Sequence, residues 1–381
     1  MPLSSRKFEW KKWPQYGEEE KIAVNRVIES NQLFAQKEVK AFEEQYADYL
    51  GVNHCLGLGN ATQALHLSLA ALNIGKGDEV LVTSYSWIST ASCILMQNAV
   101  PVFCDIEEET LGLCPKDMES KISSRTKAVI MTHIFGYPAK IKEISQICEK
   151  HGLALIEDSS HAHGAKVGNK KIGTFGTLSV FSLHQRKSLS VGDGGLLCTN
   201  DEKIAKKVYR LRSFGDSNLS YNYRMTEFAG ALGQVALKKL DKQNECRRKN
   251  AVFLSKSLEN SEKIKVRMPK QNERGVFYAV LLETRLNDKE TEQLVSSLSM
   301  KGVPISKTWG PLHLHPHFNV SHERRGIPWK DKEYDGIMSN IRYQELQLDK
   351  VHYYCPNRIL ELYVHPPNNI KNIEPIIKYL M

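Results

Sequence analysis

The chain has 381 residues, enough for a large domain and a smaller one, each with its own core. Its composition, 41% hydrophobic and 25% charged, is that of an ordinary globular protein and excludes disorder of the whole chain. A formal charge of +9 would suit an acidic partner, yet Lys and Arg are scattered and no nucleic-acid-binding module is visible, so we read a solvated basic surface.

From about residue 15 to 245, short apolar runs alternate with amphipathic stretches, the pattern of a layered α/β fold. The strand candidates are 79–84, 100–106, 128–134, 153–157, 178–183 and 196–199. Their strongly apolar character predicts a sheet covered on both faces. Leu65, Leu69 and Leu72, at i, i+4 and i+7, give a helix over 62–72 one buried face. A helix over 142–150 runs up to Gly152, which would cap it in the left-handed conformation. Another begins near Glu227, within a long helical region at 225–260. Then come an apolar run at 276–282, a helical stretch at 291–301, a Pro/His-rich loop at 304–328 and a final helix over 370–380. We read 1–250, N-terminal segment included, as the large domain and 251–381 as a smaller α+β domain.

The eight cysteines stand singly, with no CxxC pair and no spacing for zinc. The opening MPLSSRKFEWKKW lacks the apolar core of a signal peptide, and no stretch is long enough to span a membrane. A reducing cytoplasm fits best.

In such a sheet, ligand sites form beyond the carboxyl ends of the strands. Four polar segments fall there, and each suits one part of a phosphorylated pyridine cofactor. The loop GLGNAT at 57–62 leads into the Leu65 helix, where backbone N–H groups and the Thr62 hydroxyl would cradle a phosphate. Taken alone, an ordinary capped strand–turn–helix is the commoner explanation. Trp87 follows the strand that ends near Ser84, so its ring could stack on a flat ligand or simply pack in a core or interface. Asp158 stands where the 153–157 strand runs out. A carboxylate there would hold a protonated ring nitrogen and keep the ring an electron sink. His161 would reach an oxygen of the same ring. The plainer reading makes Asp158 a helix cap and His161 and His163 exposed loop residues. Ser182, near the end of the 178–183 run, could ligate phosphate, and Lys187 lies in the loop beyond it, as a Schiff-base lysine must; taken singly, an exposed lysine is the commoner reading, and only the conjunction lifts it. The glycines of GDGG at 192–195 turn the chain back into the next strand.

These segments, in this order, resemble the DegT/DnrJ/EryC1/StrS family, sugar aminotransferases that depend on pyridoxal phosphate (PLP). The family's S-N-G-T-x-A-L is similar to GNATQAL at 59–65, and its T-[FW]-x-[AS]-T to SWIST at 86–90. Its E-D-x-A-[QH]-A resembles EDSSHA at 157–162. Its S-[FLM]-x-x-x-K followed by G-[ED]-G-G resembles the stretches 182–187 and 192–195. A fifth match, YNYRMTE at 221–227, resembles N-x-R-[ML]-[ST]-E. The resemblance implies an α/β fold of PLP-dependent transferase type I, a large α/β/α sandwich domain with a smaller C-terminal α+β domain. It implies that Ala61, Thr62, Trp87, Asp158, His161, Ser182, Lys187 and Asn222 bind the cofactor, with Lys187 also catalytic. Asn222 would reach the phosphate of a neighbouring subunit, hence a homodimer with shared active sites.

Three positions depart from the pattern. Ala61 replaces a glycine, which a backbone at ordinary φ tolerates; Ser160 replaces an alanine; and Phe214, in RSFG at 212–215, stands where histidine is frequent. The reaction implied is transfer of an amino group from glutamate or glutamine to a keto-sugar, often nucleotide-linked, or a keto-cyclitol, by way of pyridoxamine phosphate. Two alternatives stay open: a PLP-dependent sugar dehydratase, although the deoxysugar 3-dehydratases carry histidine in place of the lysine, and a non-catalytic PLP-binding regulator. Tyr85, Phe214, Tyr223, His313 and His315 are assigned to the acceptor pocket. The His313, His315 and His317 spacing fits no standard zinc pattern, so no metal is expected.

Overall fold

The structure is a computed structural model, and it describes residues 7–33, 36–214, 219–318 and 342–381. Seven strands form the main sheet: β1 (His54–Leu58), β2 (Glu79–Thr83), β3 (Val100–Cys104), β4 (Thr126–Thr132), β5 (Ala154–Asp158), β6 (Leu178–Ser182) and β7 (Gly195–Thr199). They lie in the order β1-β7-β6-β5-β4-β2-β3. Neighbours from β6 to β3 pair in parallel, whereas β7 runs antiparallel to both β1 and β6. Six strands lie within two residues of the runs read from the sequence. The seventh, β1, was read as part of a loop because Gly57 breaks its apolar run. Glycine belongs there for packing: a Cβ would meet Met225 Sδ at 3.0 Å and Glu43 Oε1 at 3.3 Å.

Alternate residues of each strand feed opposite faces. Val80 and Val82 join one hydrophobic cluster with Ala128, Ile130, Ile156 and Val180. Leu81, Val129, Met131 and Leu155 join another with Ile141, Ile144 and Cys148. The sheet is therefore covered on both sides, as its apolar strands require.

The helices used below are α1 (Glu18–Ser30), α2 (Lys37–Leu50), α3 (Ala61–Ala71), α4 (Ser89–Met96), α5 (Ile141–His151), α6 (Glu227–Ser257) and α7 (Asp288–Met300). Gly152 ends α5 at φ +65°, its N–H returned to the last carbonyls, as its position predicted. Thr226 caps α6, whose 31 residues run across position 250. Asn287 and Glu290 close a capping box on α7.

A second, antiparallel sheet has the order β8-β9-β11-β10, from β8 (Ile264–Val266), β9 (Val280–Thr284), β10 (Ile305–Lys307) and β11 (Ile359–Leu362). Two expectations are corrected here. The loop placed at 304–328 contains strand β10, and its part from 319 onward lies outside the described residues. The final helix is broken into Ile370–Ile373, a 3-10 turn Glu374–Ile376 and Ile377–Leu380. Pro375 explains the break, since it has no N–H to donate and its ring crowds the preceding turn.

One hydrophobic cluster continues from the main sheet to the second, uniting Leu56, Val80 and Ile156 with Leu281, Leu360 and Ile376. The segment ahead of α1 crosses to this C-terminal part. Phe8 N donates to Lys301 O at 2.8 Å, and Lys11 and Asn368 exchange two hydrogen bonds of 2.9 and 2.8 Å.

Candidate active site

At the end of β1 the chain turns through Gly59 and Asn60 into α3. Asn60 caps this helix, its side chain accepting from Gln63 N at 2.9 Å and its carbonyl from Ala64 N at 3.2 Å. The N–H groups of Ala61 and Thr62 then have no hydrogen-bond partner among the described residues, and a helix N-terminus so exposed favours an anion. Ala61 is the first residue of the helix and has no positive φ, so the missing glycine costs nothing here. Gly195, which opens β7, lies directly against this turn. A Cβ on it would be 2.4 Å from Asn60 C and 2.6 Å from Ala61 N, so the sheet and the turn meet this closely only without a side chain. Thr62 Oγ1 donates to Ser89 Oγ at 2.7 Å, tying α3 to α4.

Asp158, the last residue of β5, is buried. Thr90 Oγ1 donates to Oδ2 at 2.7 Å and Ser160 N to Oδ1 at 3.2 Å. Thr90 is held by Ser86 Oγ at 2.8 Å, which also reaches Thr132 Oγ1 at 3.0 Å, a chain of hydroxyls from α4 to β4. All the hydrogen bonds to this carboxylate come from neutral groups. Among the described residues it has no ion-pair partner, although a buried carboxylate ordinarily has a cation beside it. This is the seat that a protonated ring nitrogen would fill.

His161 and His163 follow, and neither is exposed as the plainer reading had it. His161 stacks on Tyr278 with ring centroids 4.4 Å apart and planes 4° from parallel. Its Nδ1 accepts from Phe135 N at 3.2 Å, which assigns the ring proton to Nε2. Burial, then the charge of Lys187, holds its pKa well below the usual imidazole value, so the ring is neutral. His163 Nε2 donates to Ser182 O at 2.8 Å and its Nδ1 accepts from Tyr46 OH at 2.9 Å, which fixes the end of β6. Burial pushes the His163 pKa down to about 4. Ser182 is buried, with His184 N 3.4 Å from its hydroxyl.

Lys187 lies in the loop from β6 to β7, half-buried, its Nζ 4.9 Å from the centroid of the Tyr278 ring. Burial lowers its pKa to about 8, against the pull of the Asp158 and Glu361 carboxylates. The lysine is thus close enough to Asp158 to feel its charge and poised to lose its proton. Glu361, on β11, is buried too, accepting from Ser306 Oγ at 2.7 Å and Tyr363 OH at 3.0 Å. Trp87 is 54% exposed and meets Trp309 edge-on at 5.6 Å.

The residues read as substrate contacts divide. Phe214 is exposed at φ +60° with the Arg224 guanidinium over its ring. Tyr223 stacks on Tyr221, bonds His66 Nδ1 at 3.1 Å and takes Gly59 N on its carbonyl, so its segment rests on the turn before α3. Asn222 is exposed, accepting from Arg224 Nε at 3.1 Å. Tyr85 and His313, by contrast, are not brought to the surface of the site. Tyr85 is completely buried beside Phe135 and Trp309, and His313 is completely buried with its Nε2 2.9 Å from His352 Nε2. His315 contacts the ring of its neighbour His317. No group of three metal-ligating side chains occurs among the described residues. The sequence reading missed Thr90, Tyr278 and Glu361 as site residues. Only Thr90 carried a signal, in lying one turn into the segment of Trp87.

The profile of the DegT/DnrJ/EryC1/StrS aminotransferase family matches residues 14–356. A GDP-perosamine synthase of Vibrio cholerae is 32% identical over 328 residues, which is 83% of this chain and 88% of that protein. An L-glutamine:2-deoxy-scyllo-inosose aminotransferase of Streptomyces lividus is 32% identical over 349 residues, 83% of this chain and 81% of that protein. The crystal structure of the aminotransferase TlmJ from Streptoalloteichus hindustanus matches with a TM-score of 0.86 at 27% identity, covering 96% of both chains.

Proposed function

The chain belongs to the DegT/DnrJ/EryC1/StrS aminotransferase family, and from that premise we propose that it moves an amino group from glutamate or glutamine to a keto-sugar, often nucleotide-linked, or to a keto-cyclitol. The observation that carries the reading is the buried Asp158 carboxylate, bonded by neutral donors alone, beside a lysine amine whose pKa is lowered to about 8.

PLP, when bound, supplies an aldehyde for an amine to capture and a cationic ring that draws in the electrons released at the donor α-carbon. Asp158 would hold the ring N–H, its carboxylate oriented by Thr90 and Ser160. The open N–H groups of Ala61 and Thr62, with the Ser182 hydroxyl, would hold the phosphate. His161 would offer its Nε2 proton to the ring oxygen, and the exposed indole of Trp87 would cover one face of the ring.

Lys187 has two duties in this reading. Its amine would hold the cofactor through the aldehyde, and as a free amine it would accept and return the proton of the donor α-carbon. A base with a pKa of about 8 is neutral in a useful fraction near neutral pH, which an ordinary lysine is not. Phe214, Tyr223 and His315, the last between two 3-10 turns, would contact the acceptor; Tyr85 and His313, proposed for the same pocket, are completely buried.

We extend the proposal to assembly and location. Asn222, exposed here, would complete the phosphate site of a second subunit in a homodimer. Residues 1–250 and 251–381 would form the large and small domains. The eight cysteines are free thiols, and no helix among the described residues is long and apolar enough to cross a membrane, both in keeping with a cytoplasmic enzyme.

The test is spectroscopic. The purified protein with PLP should show the absorbance of a lysine-bound cofactor, lose it on addition of glutamine or glutamate, and regain it with the right keto-sugar or keto-cyclitol. A Lys187→Ala variant that keeps this absorbance and full turnover would overturn the assignment.

A further inference from the structure

We propose that Trp13 is a positioning residue for Lys187, which makes the segment ahead of α1 part of the active site. The inference rests on Lys187 being the cofactor lysine. The indole Nε1 donates to Lys187 O at 2.9 Å, across 174 positions of sequence. The Lys187 N–H donates to His184 O at 2.8 Å within its own loop. Trp13 therefore supplies the tie from outside the loop to the backbone of the reacting lysine.

The ring is itself packed against a bonded pair of side chains. Arg247, from α6, stands with its guanidinium carbon 4.7 Å from the indole, and the ring of His365 lies 5.2 Å away at 31°. Arg247 is completely buried and has no carboxylate partner among the described residues. Its Nε donates to His365 Nδ1 at 2.9 Å, its Nη1 to Asn244 Oδ1 at 3.1 Å, and its Nη2 has no hydrogen-bond partner among the described residues. The π face of Trp13 is then the electron-rich surface that compensates the charge, which holds the indole in place. Tyr16 contacts the same loop a second time, its OH 3.2 Å from Ser190 Oγ. The reciprocal Lys11–Asn368 pair and the bond from Phe8 to Lys301 anchor the far end of the strap.

This matters because the amine hangs from a flexible four-carbon stem on a loop that turns at Gly192, φ +97°. An ångström of slip at the backbone would move Nζ off the cofactor aldehyde. The same slip would also expose the amine to water. The ionisable groups facing it are Asp158 from β5, His161 and His163 beyond that strand, Glu361 from β11, His184 and Arg186 from its own loop, and the Tyr278 phenol next to β9.

The experiment uses Trp13→Phe, which keeps a ring against the Arg247–His365 pair but removes the N–H. The cofactor-free full-length protein is mixed with PLP, and the rate of lysine–cofactor bond formation is followed by absorbance across pH 6–11. Since the neutral amine is the reacting form, the midpoint of the rate profile reports the pKa of Lys187. In the wild type it should lie near 8. In Trp13→Phe it should move upward toward the ordinary lysine value, and PLP should be lost on dilution about five-fold faster, the worth of one ordinary hydrogen bond. Asn368→Ala, which releases the strap at Lys11, should shift both readings the same way by less. A folded Trp13→Phe protein with the wild-type midpoint and wild-type PLP loss would overturn the inference and leave the aminotransferase reading intact. A wild type that forms no bond with PLP would instead overturn that reading.

Discussion

Replacing Lys187 by Met should abolish turnover and yet stabilise the cofactor-free protein near neutral pH. The folded site holds the amine in partial burial and lowers its pKa from 10.5 to about 8, so folding near pH 7 works against the charged ammonium. A shift of this size corresponds to about 3 kcal/mol, which we reduce to about 2 kcal/mol because the side chain is only half-buried. The unfolded chain binds the proton up to pH 10.5 and the folded chain only up to about pH 8. The destabilisation is therefore complete below pH 8, fades between 8 and 10.5, and is gone above. Met fills the same volume without a charge. Urea unfolding of both cofactor-free proteins at pH 7, 9 and 10.5 should find Lys187→Met the more stable by about 2 kcal/mol at pH 7, with the gap closing at the highest pH. A wild type more stable at pH 7, or a gap that does not change with pH, would refute the reasoning.

Asp158→Asn keeps an acceptor for Thr90 but removes the charge that would hold the ring cationic. Turnover should fall by about 10²–10³ while PLP still binds, read by steady-state kinetics and by the absorbance of the bound cofactor. Trp87→Ala should leave the urea midpoint unchanged, because the indole is more than half exposed. PLP retention should fall by about 3- to 10-fold in equilibrium dialysis, the loss expected of one aromatic stack. Stability should also be lost as pH drops. His163 stays neutral in the fold down to about pH 4, while the unfolded chain takes up its proton at about 6.5, so its contribution is whole above 6.5 and falls below it. One such group is worth about 2 kcal/mol at pH 5, and His163→Gln should flatten the acid limb of the urea titration by that much.

Asp158 and Lys187 could be singled out as candidates because one ends an apolar run and the other lies in the loop beyond one, and in a sheet of this kind the strand ends are where ligands bind. The same rule located Ser182 and the turn before α3. Tyr278 and Glu361 were not legible for the converse reason. They reach the lysine from the segment just ahead of β9 and from β11, and no periodicity in a sequence states how two sheets face each other. The inward turn of His313 was not legible either: a Pro/His-rich stretch reads as an open loop, but the Leu312–Leu314 turn carries the ring to His352. Strand β1 was lost to Gly57, whose service is to leave room for Met225.

The hydrophobic cluster shared by the two sheets bears on how such an enzyme acquires a new acceptor. A chimaera that grafted the C-terminal third of a relative onto this chain would cut through the seam where Val80 and Ile156 join one core with Leu281 and Leu360. Side chains fitted to one another would be parted on both sides of the join, and close-packed interiors tolerate such mismatches poorly. A chimaera is therefore better confined to exposed segments such as that at Phe214, which can be traded without reopening the interior.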